Sequence, residues 1–164
     1  MYTDPAQQSL ASMLTLITAN FTHFNAVHMI MNLSGLVLFT NMFNPRASEL
    51  ALVLTASTIV IAIGVYVTQL THFMGLSAVL HATVTYFAIK YISMKQKEYW
   101  IILFGVLVKV AHEAVFGVTS QSKWLMGGEV QTQAHLIAVF AVLLAVAATQ
   151  VIKVIDRPAS LKRA

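Results

Sequence analysis

The 164-residue chain contains no cysteine, which excludes disulfides and thiolate metal sites. Charge is scarce too: Lys, Arg, Asp and Glu make up 10% of the residues, against about a quarter in soluble domains. The N-terminus lacks the basic start and cleavage site of a secretory signal peptide, and no internal repeat is visible. What fills the chain is apolar: 58% of residues are hydrophobic and the mean hydropathy is +0.76. Such a composition belongs to a multi-span membrane protein, with one domain by length. The net charge of +4 does not point to nucleic acid, because the positive residues fall where membrane topology wants them.

Residues 1–24 read as an N-terminal interfacial segment. Met1 to Gln8 is mostly polar, and Leu10 to Phe21 is too short and interrupted to span. Five spans are then expected, at Asn25–Phe43, Leu50–Leu70, Ser77–Ser93, Tyr99–Val118 and His135–Val154. Together they make a transmembrane bundle over 25–154, followed by a tail at 155–164. Backbone groups at membrane depth must be paired within each segment, so the spans are helices and the fold is all-α. Arg46, Lys90, Lys95, Lys97, Lys153, Arg157, Lys162 and Arg163 lie on one side, and Lys123 alone on the other. By the positive-inside rule the C-terminus is cytoplasmic, and the 71–76 and 119–133 loops face out.

All six histidines, His23, His28, His72, His81, His112 and His135, then fall on the outer side. Ser77 and Asn32 share their depth. Polar groups inside a membrane are costly and mark function by default, so one outward-facing polar site is the simplest account. His28 and Asn32 are four apart and project from one helix face; Ser77 and His81 repeat that spacing. Gly75 offers backbone freedom just before the third span, which places Ser77 in a first helical turn rich in free amides.

Acyl transfer is the chemistry open to such a set. A serine hydroxyl becomes a useful nucleophile once a histidine takes its proton. The resulting oxyanion needs preorganised donors, each worth about 10²–10³ in rate. His28, Asn32 and the Ser77 amide can supply them. Either His81, one turn away, or His135, brought in by packing, can act as base, and spacing does not choose between them.

In chain order the pieces are Phe21-Thr22-His23, His28, Asn32, Gly75-Leu76-Ser77 and Ala134-His135. Together they resemble the rhomboid family of intramembrane serine proteases, from about Thr15 to Val151. The resemblance implies a rhomboid-like helical bundle, with the family's usual first helix missing from this chain. It implies Ser77 as nucleophile and His135 as base, with His28, Asn32 and the Ser77 amide as oxyanion hole. His23 and Gly75 would be supporting residues. His81 stands where typical members carry a tyrosine stacked on the catalytic histidine. That substitution looks like the rhombosortase branch, whose members are thought to trim C-terminal Gly-Gly anchor tails from exported bacterial proteins. The implied setting is a bacterial inner (plasma) membrane with the site facing outwards. The implied partners are membrane lipids and a transmembrane or C-terminal anchor segment of a protein substrate. Nucleic acid, metal and cofactors have no part in this reading.

The chain departs from the family pattern in three ways. Ala78 follows the serine where glycine is usual. Ala138 and Val142 replace small glycines that let helices approach, and Val142 is expected to hold them further apart. The chain also shows Leu14-Thr15 where a Trp-Arg pair is usual. These departures support a second reading, a catalytically inactive relative that captures transmembrane segments. A third is a haem- or metal-binding bundle using paired histidines as ligands. Two features stand apart from all three readings. Lys109 and Glu113, spaced i, i+4, are expected to form a buried ion pair, although Lys first is the less favourable order. Trp124-Leu125-Met126, followed by Gly127-Gly128, is expected to dip over the site as a lid.

Overall fold

The computed structural model describes residues 10–70 and 72–155. Its helices are α1 (Leu10–Ala19), α2 (Ala26–Phe43), α3 (Ala47–Thr68), α4 (Ser77–Ser93), α5 (Tyr99–Phe116), α6 (Ser120–Met126) and α7 (Thr132–Ile155). Every regular element among the described residues is a helix. By length and composition, α2, α3, α5 and α7 can each cross a membrane, and the protein is a multi-pass membrane protein. The polar start expected at Met1 to Gln8 and the tail bearing Arg157, Lys162 and Arg163 lie outside the described residues.

The third expected span, Ser77–Ser93, is α4, and it differs from the others. It has 17 residues, about 25 Å by helical rise, short of the roughly 30 Å of bilayer hydrocarbon. It sits in the middle of the bundle, packed on α2, α3, α5 and α7. A helix enclosed by protein can carry polar groups if they are paired. The Thr83 and Thr85 hydroxyls accordingly donate to the carbonyls of Val79 and His81, at 2.6 and 2.7 Å. The irregular chain leading into α4 is covered as well, with Phe73 and Leu76 buried. Non-helical backbone at membrane depth is tolerated only under such cover.

Within the Leu10 to Phe21 stretch, Leu10–Ala19 forms the helix α1. Leu16 enters a core that also holds Ile61 and Val65 of α3, Ala78 and Ala82 of α4, and Ala134 and Ala138 of α7. The Ala19 carbonyl accepts the Gly75 N–H at 2.9 Å, so α1 braces the loop before α4. A second core lies towards the other end, where Phe39 and Phe43 of α2 pack on Phe87 of α4, and Leu103 of α5 joins them. There Tyr91 and Tyr99 donate their hydroxyls to the carbonyls of Phe43 and Met42, at 2.5 and 3.4 Å. Those carbonyls belong to the last turn of α2 and lack intrahelical partners. Lys90 and Glu49 close this end with a 2.6 Å ion pair, and the Tyr86 hydroxyl donates to the same carboxylate.

Small residues set the spacing of α4 and α7: Ala78, Ala82, Ala134 and Ala138 are all buried. Further along α7 the helices part, leaving a cleft of about 350 Å³ among α3, α4 and α7 with Val142 on its wall. α3 comes close to α7 at Gly64, where an added Cβ would lie 2.6 Å from Ile137 Cγ2. Ile137 is β-branched and stiff in a helix, so it cannot easily yield. Gly64→Leu is therefore expected to destabilise the bundle by roughly 1–3 kcal/mol, read as a lower thermal midpoint in detergent. If Ile137→Ala does not relieve the effect, the contact is not its cause.

Candidate active site

Ser77 is the first residue of α4, preceded by a cap residue, Leu76, that makes no side-chain capping bond. Ser77 is therefore not itself the N-cap, and its hydroxyl is free to point elsewhere. It meets α7: Ser77 Oγ lies 2.8 Å from His135 Nε2. The expected start of the last span at His135 is one turn late. α7 begins at Thr132, which places His135 in its first turn, buried beside Ala134.

His81 is arranged differently. Its Nδ1 lies 2.7 Å from the Ser77 backbone carbonyl. A carbonyl only accepts, so this nitrogen carries the hydrogen. The ring stacks on His135, with centroids 4.2 Å apart and planes 18° from parallel. Of the two candidate bases, His135 is thus the one that meets the hydroxyl.

His28 and Asn32 are both buried on the inward face of α2, and Gly75 lies against them. An added Cβ at Gly75 would come within 2.7 Å of His28 Nε2 and 3.6 Å of Asn32 Nδ2, at a backbone φ of +105°. Among the described residues, His28 Nδ1, Asn32 Nδ2 and His23 Nε2 are buried without a hydrogen-bond partner. Buried polar atoms are seldom left so. His28 is held by neighbours on two sides, Phe24 stacked at 5.8 Å and His23 edge-on at 4.9 Å. His23 lies in the loop before α2, where burial pushes its imidazole down from the ordinary value against an opposing bond at Phe21. Asn25 caps α2, accepting from His28 N at 2.8 Å.

Four of the six histidines thus converge, while His72 and His112 are exposed and His112 packs on Phe116 instead. The Trp124-Leu125-Met126 trio forms part of α6, and Trp124 is 80% exposed rather than folded into the site. It is the following glycines that lie close, Gly127 against Asn25 and Gly128 against Phe24, with Asn25 Nδ2 donating to the Leu125 carbonyl at 3.1 Å. Ala78 is fully buried, so its methyl group fills core space rather than site space.

One group escaped the reading of the sequence. Glu113 of α5 does pair with Lys109, at 2.5 Å, although Lys109 is exposed rather than buried as expected, and the other Glu113 oxygen reaches α7 and lies 2.8 Å from His135 Nδ1. Its i, i+4 spacing to Lys109 masked that second contact. His81, Glu113 and His135 could on proximity alone hold a metal, their ligand atoms lying within 4.8 Å of one another. Yet ring lone pairs lie in the ring planes, and two nearly parallel rings aim them side by side rather than at a common point. Seating an ion would also break the bonds to the Ser77 carbonyl, the Ser77 hydroxyl or the Glu113 carboxylate. Rings this close leave no room for a porphyrin between them.

Comparison with known proteins gives one match: the family described as Rhomboid domain covers residues 10–151. No curated protein and no solved structure matches the chain.

Because Gly75 combines a left-handed φ with contact at His28, Gly75→Ala is expected to displace His28 while leaving the bundle folded. Reaction of Ser77 with a fluorophosphonate should then fall by about 10²–10³, the range for one lost oxyanion donor. Unchanged reactivity would show that the approach of Gly75 to His28 is packing alone.

Proposed function

Because the chain belongs to the rhomboid family, we propose that it is an intramembrane serine endopeptidase, with Ser77 as nucleophile and His135 as base. The observation that carries this reading is the 2.8 Å contact between Ser77 Oγ and His135 Nε2. His135 Nε2 takes the hydroxyl proton as Oγ attacks the scissile carbonyl. Asn32 Nδ2, His28 and the Ser77 N–H receive the negative charge that develops on the carbonyl oxygen. The uncapped start of α4 adds its positive end. His135 then returns the proton to the departing amine, and water releases the acyl group by the same steps in reverse. His81, whose Nδ1 is bonded to the Ser77 carbonyl, steadies the turn and stacks on the base, while His23 and Gly75 hold His28 in place.

In this reading residues 25–154 are the catalytic bundle, the segment before it lies at the outer interface, and the tail from 155 onwards is cytoplasmic. The site faces the outer side of a bacterial plasma membrane. The substrate is a membrane-anchored protein cut in its transmembrane or C-terminal anchor segment. A histidine four residues after the serine, in Gly75-x-Ser77-x-x-x-His81, favours the rhombosortase branch and a Gly-Gly tail as the cut region. Two buried donors on α2 and a crowded Gly75 suit a scissile backbone without bulky side chains.

The test is fluorophosphonate labelling of the purified protein in detergent. Labelling is expected in wild type, absent in Ser77→Ala, reduced by about 10²–10⁴ in His135→Ala and retained in His81→Ala. Loss in His81→Ala with retention in His135→Ala would move the base to α4. A folded wild type that never labels would favour the inactive, segment-binding relative. A reporter anchored by a Gly-Gly-containing tail should be released by wild type and not by Ser77→Ala.

A further inference from the structure

We propose that Glu113 is a positioning residue that fixes the ring of His135 in the orientation and tautomer its role at Ser77 requires, with Lys109 holding the carboxylate in turn. The chemical consequence rests on the protease reading above, whereas the geometry does not depend on it.

The argument begins with the two carboxylate oxygens. Oε1 accepts from Lys109 Nζ at 2.5 Å, and Oε2 lies 2.8 Å from His135 Nδ1. An ion pair serving stability alone would be complete with Lys109, which lies on the same helix one turn away. Nor does helix stability account for the pair, since Lys before Glu is the weaker order. The carboxylate instead spans from α5 to α7.

An ionised carboxylate only accepts, so the bond at Nδ1 requires the hydrogen on that nitrogen. His135 Nε2 is then left with its lone pair, and that lone pair faces the Ser77 hydroxyl at 2.8 Å. Held the other way, His135 would offer Ser77 a hydrogen and could take none. When the hydroxyl proton moves to Nε2, the ring becomes a cation. Glu113 stays unprotonated and faces that charge, and the proton later leaves with the amine. The other titratable groups around His135 are His81 on α4, His28 on α2 and Lys109 on α5. All of these can only add positive charge, so among the described residues around His135 Glu113 is the anion. The resulting order, hydroxyl, imidazole, carboxylate, is the logic of a serine triad assembled from α4, α7 and α5.

The test pairs two readouts on the full-length protein in detergent. The first is the ¹⁵N spectrum of histidine-labelled protein, which reports the tautomer of His135 without reference to activity. Wild type is expected to show the Nδ1–H form, and Glu113→Gln to lose it. The second is fluorophosphonate labelling resolved into a binding constant and a maximal rate. Glu113→Gln is expected to lower the maximal rate by about 10²–10⁴ with little change in binding, as removal of the acid does in serine triads. Lys109→Met should lower it less, because the carboxylate remains. An Nε2–H tautomer in wild type would overturn the proposal, and so would a Glu113→Gln variant that keeps the Nδ1–H form and the wild-type rate. If Glu113→Gln fails to fold, the wild-type tautomer and Lys109→Met still decide. If wild type never labels, the protease reading fails and the tautomer alone judges Glu113.

Discussion

The polar end of this bundle depends on one constraint: α4 must start inside the protein with its first turn uncapped. A helix end without water or a cap leaves amide donors facing inwards. That situation is tolerable here because α1 braces the preceding loop through the bond from Gly75 to Ala19 and because Phe73 and Leu76 cover it. With the start of α4 so placed, the Ser77 hydroxyl finds its partner on α7 and not on its own backbone. The alanines facing one another along α4 and α7 then decide how closely the two rings, His81 and His135, can stack. Moving the start of α4 by one turn would dissolve the whole arrangement.

The bundle divides its interactions by end. Near Ser77 the contacts are imidazole, amide and carboxylate, several of them incomplete among the described residues. At the other end Phe39, Phe43, Phe87, Tyr91 and Tyr99 make a contiguous aromatic cluster, and the Lys90–Glu49 pair sits beside it. Unpaired polar atoms weaken a fold, and ring packing with satisfied carbonyls strengthens it. Separating the two leaves one end polar and incompletely paired while the other secures α2, α4 and α5.

Much of this was legible in the sequence, and the limits have physical causes. Span positions followed from apolar runs and turn residues, and the shared face of His28 and Asn32 from helical spacing. Helical spacing left the choice between His81 and His135 open, because it depends on how α7 is rotated against α4, and only the resemblance through Ala134-His135 favoured His135. How one packed helix is rotated against another depends on the side chains that meet between them, which the spacing within each helix does not announce. Glu113 was hidden for the same reason, its bond to His135 being a matter of which side of α5 faces α7. The helical α1 was obscured by polar interruptions at Thr15, Thr18 and Asn20, the last of which is buried and bonds back to the Leu16 carbonyl at 2.9 Å.

The unequal anchoring of α2 has a mechanical side. Its far end is clamped by stacked rings and two tyrosine hydroxyls, whereas its near end meets α6 through Asn25 and two glycines that present no side chain to grip. An 18-residue helix is a rod of about 27 Å. Any tilt at the clamp is magnified along that length, and roughly 10° would carry the near end by about 5 Å, comparable to the spacing between neighbouring extended chains. His28 and Asn32 ride on that near half. The same lever therefore sets their distance from Gly75.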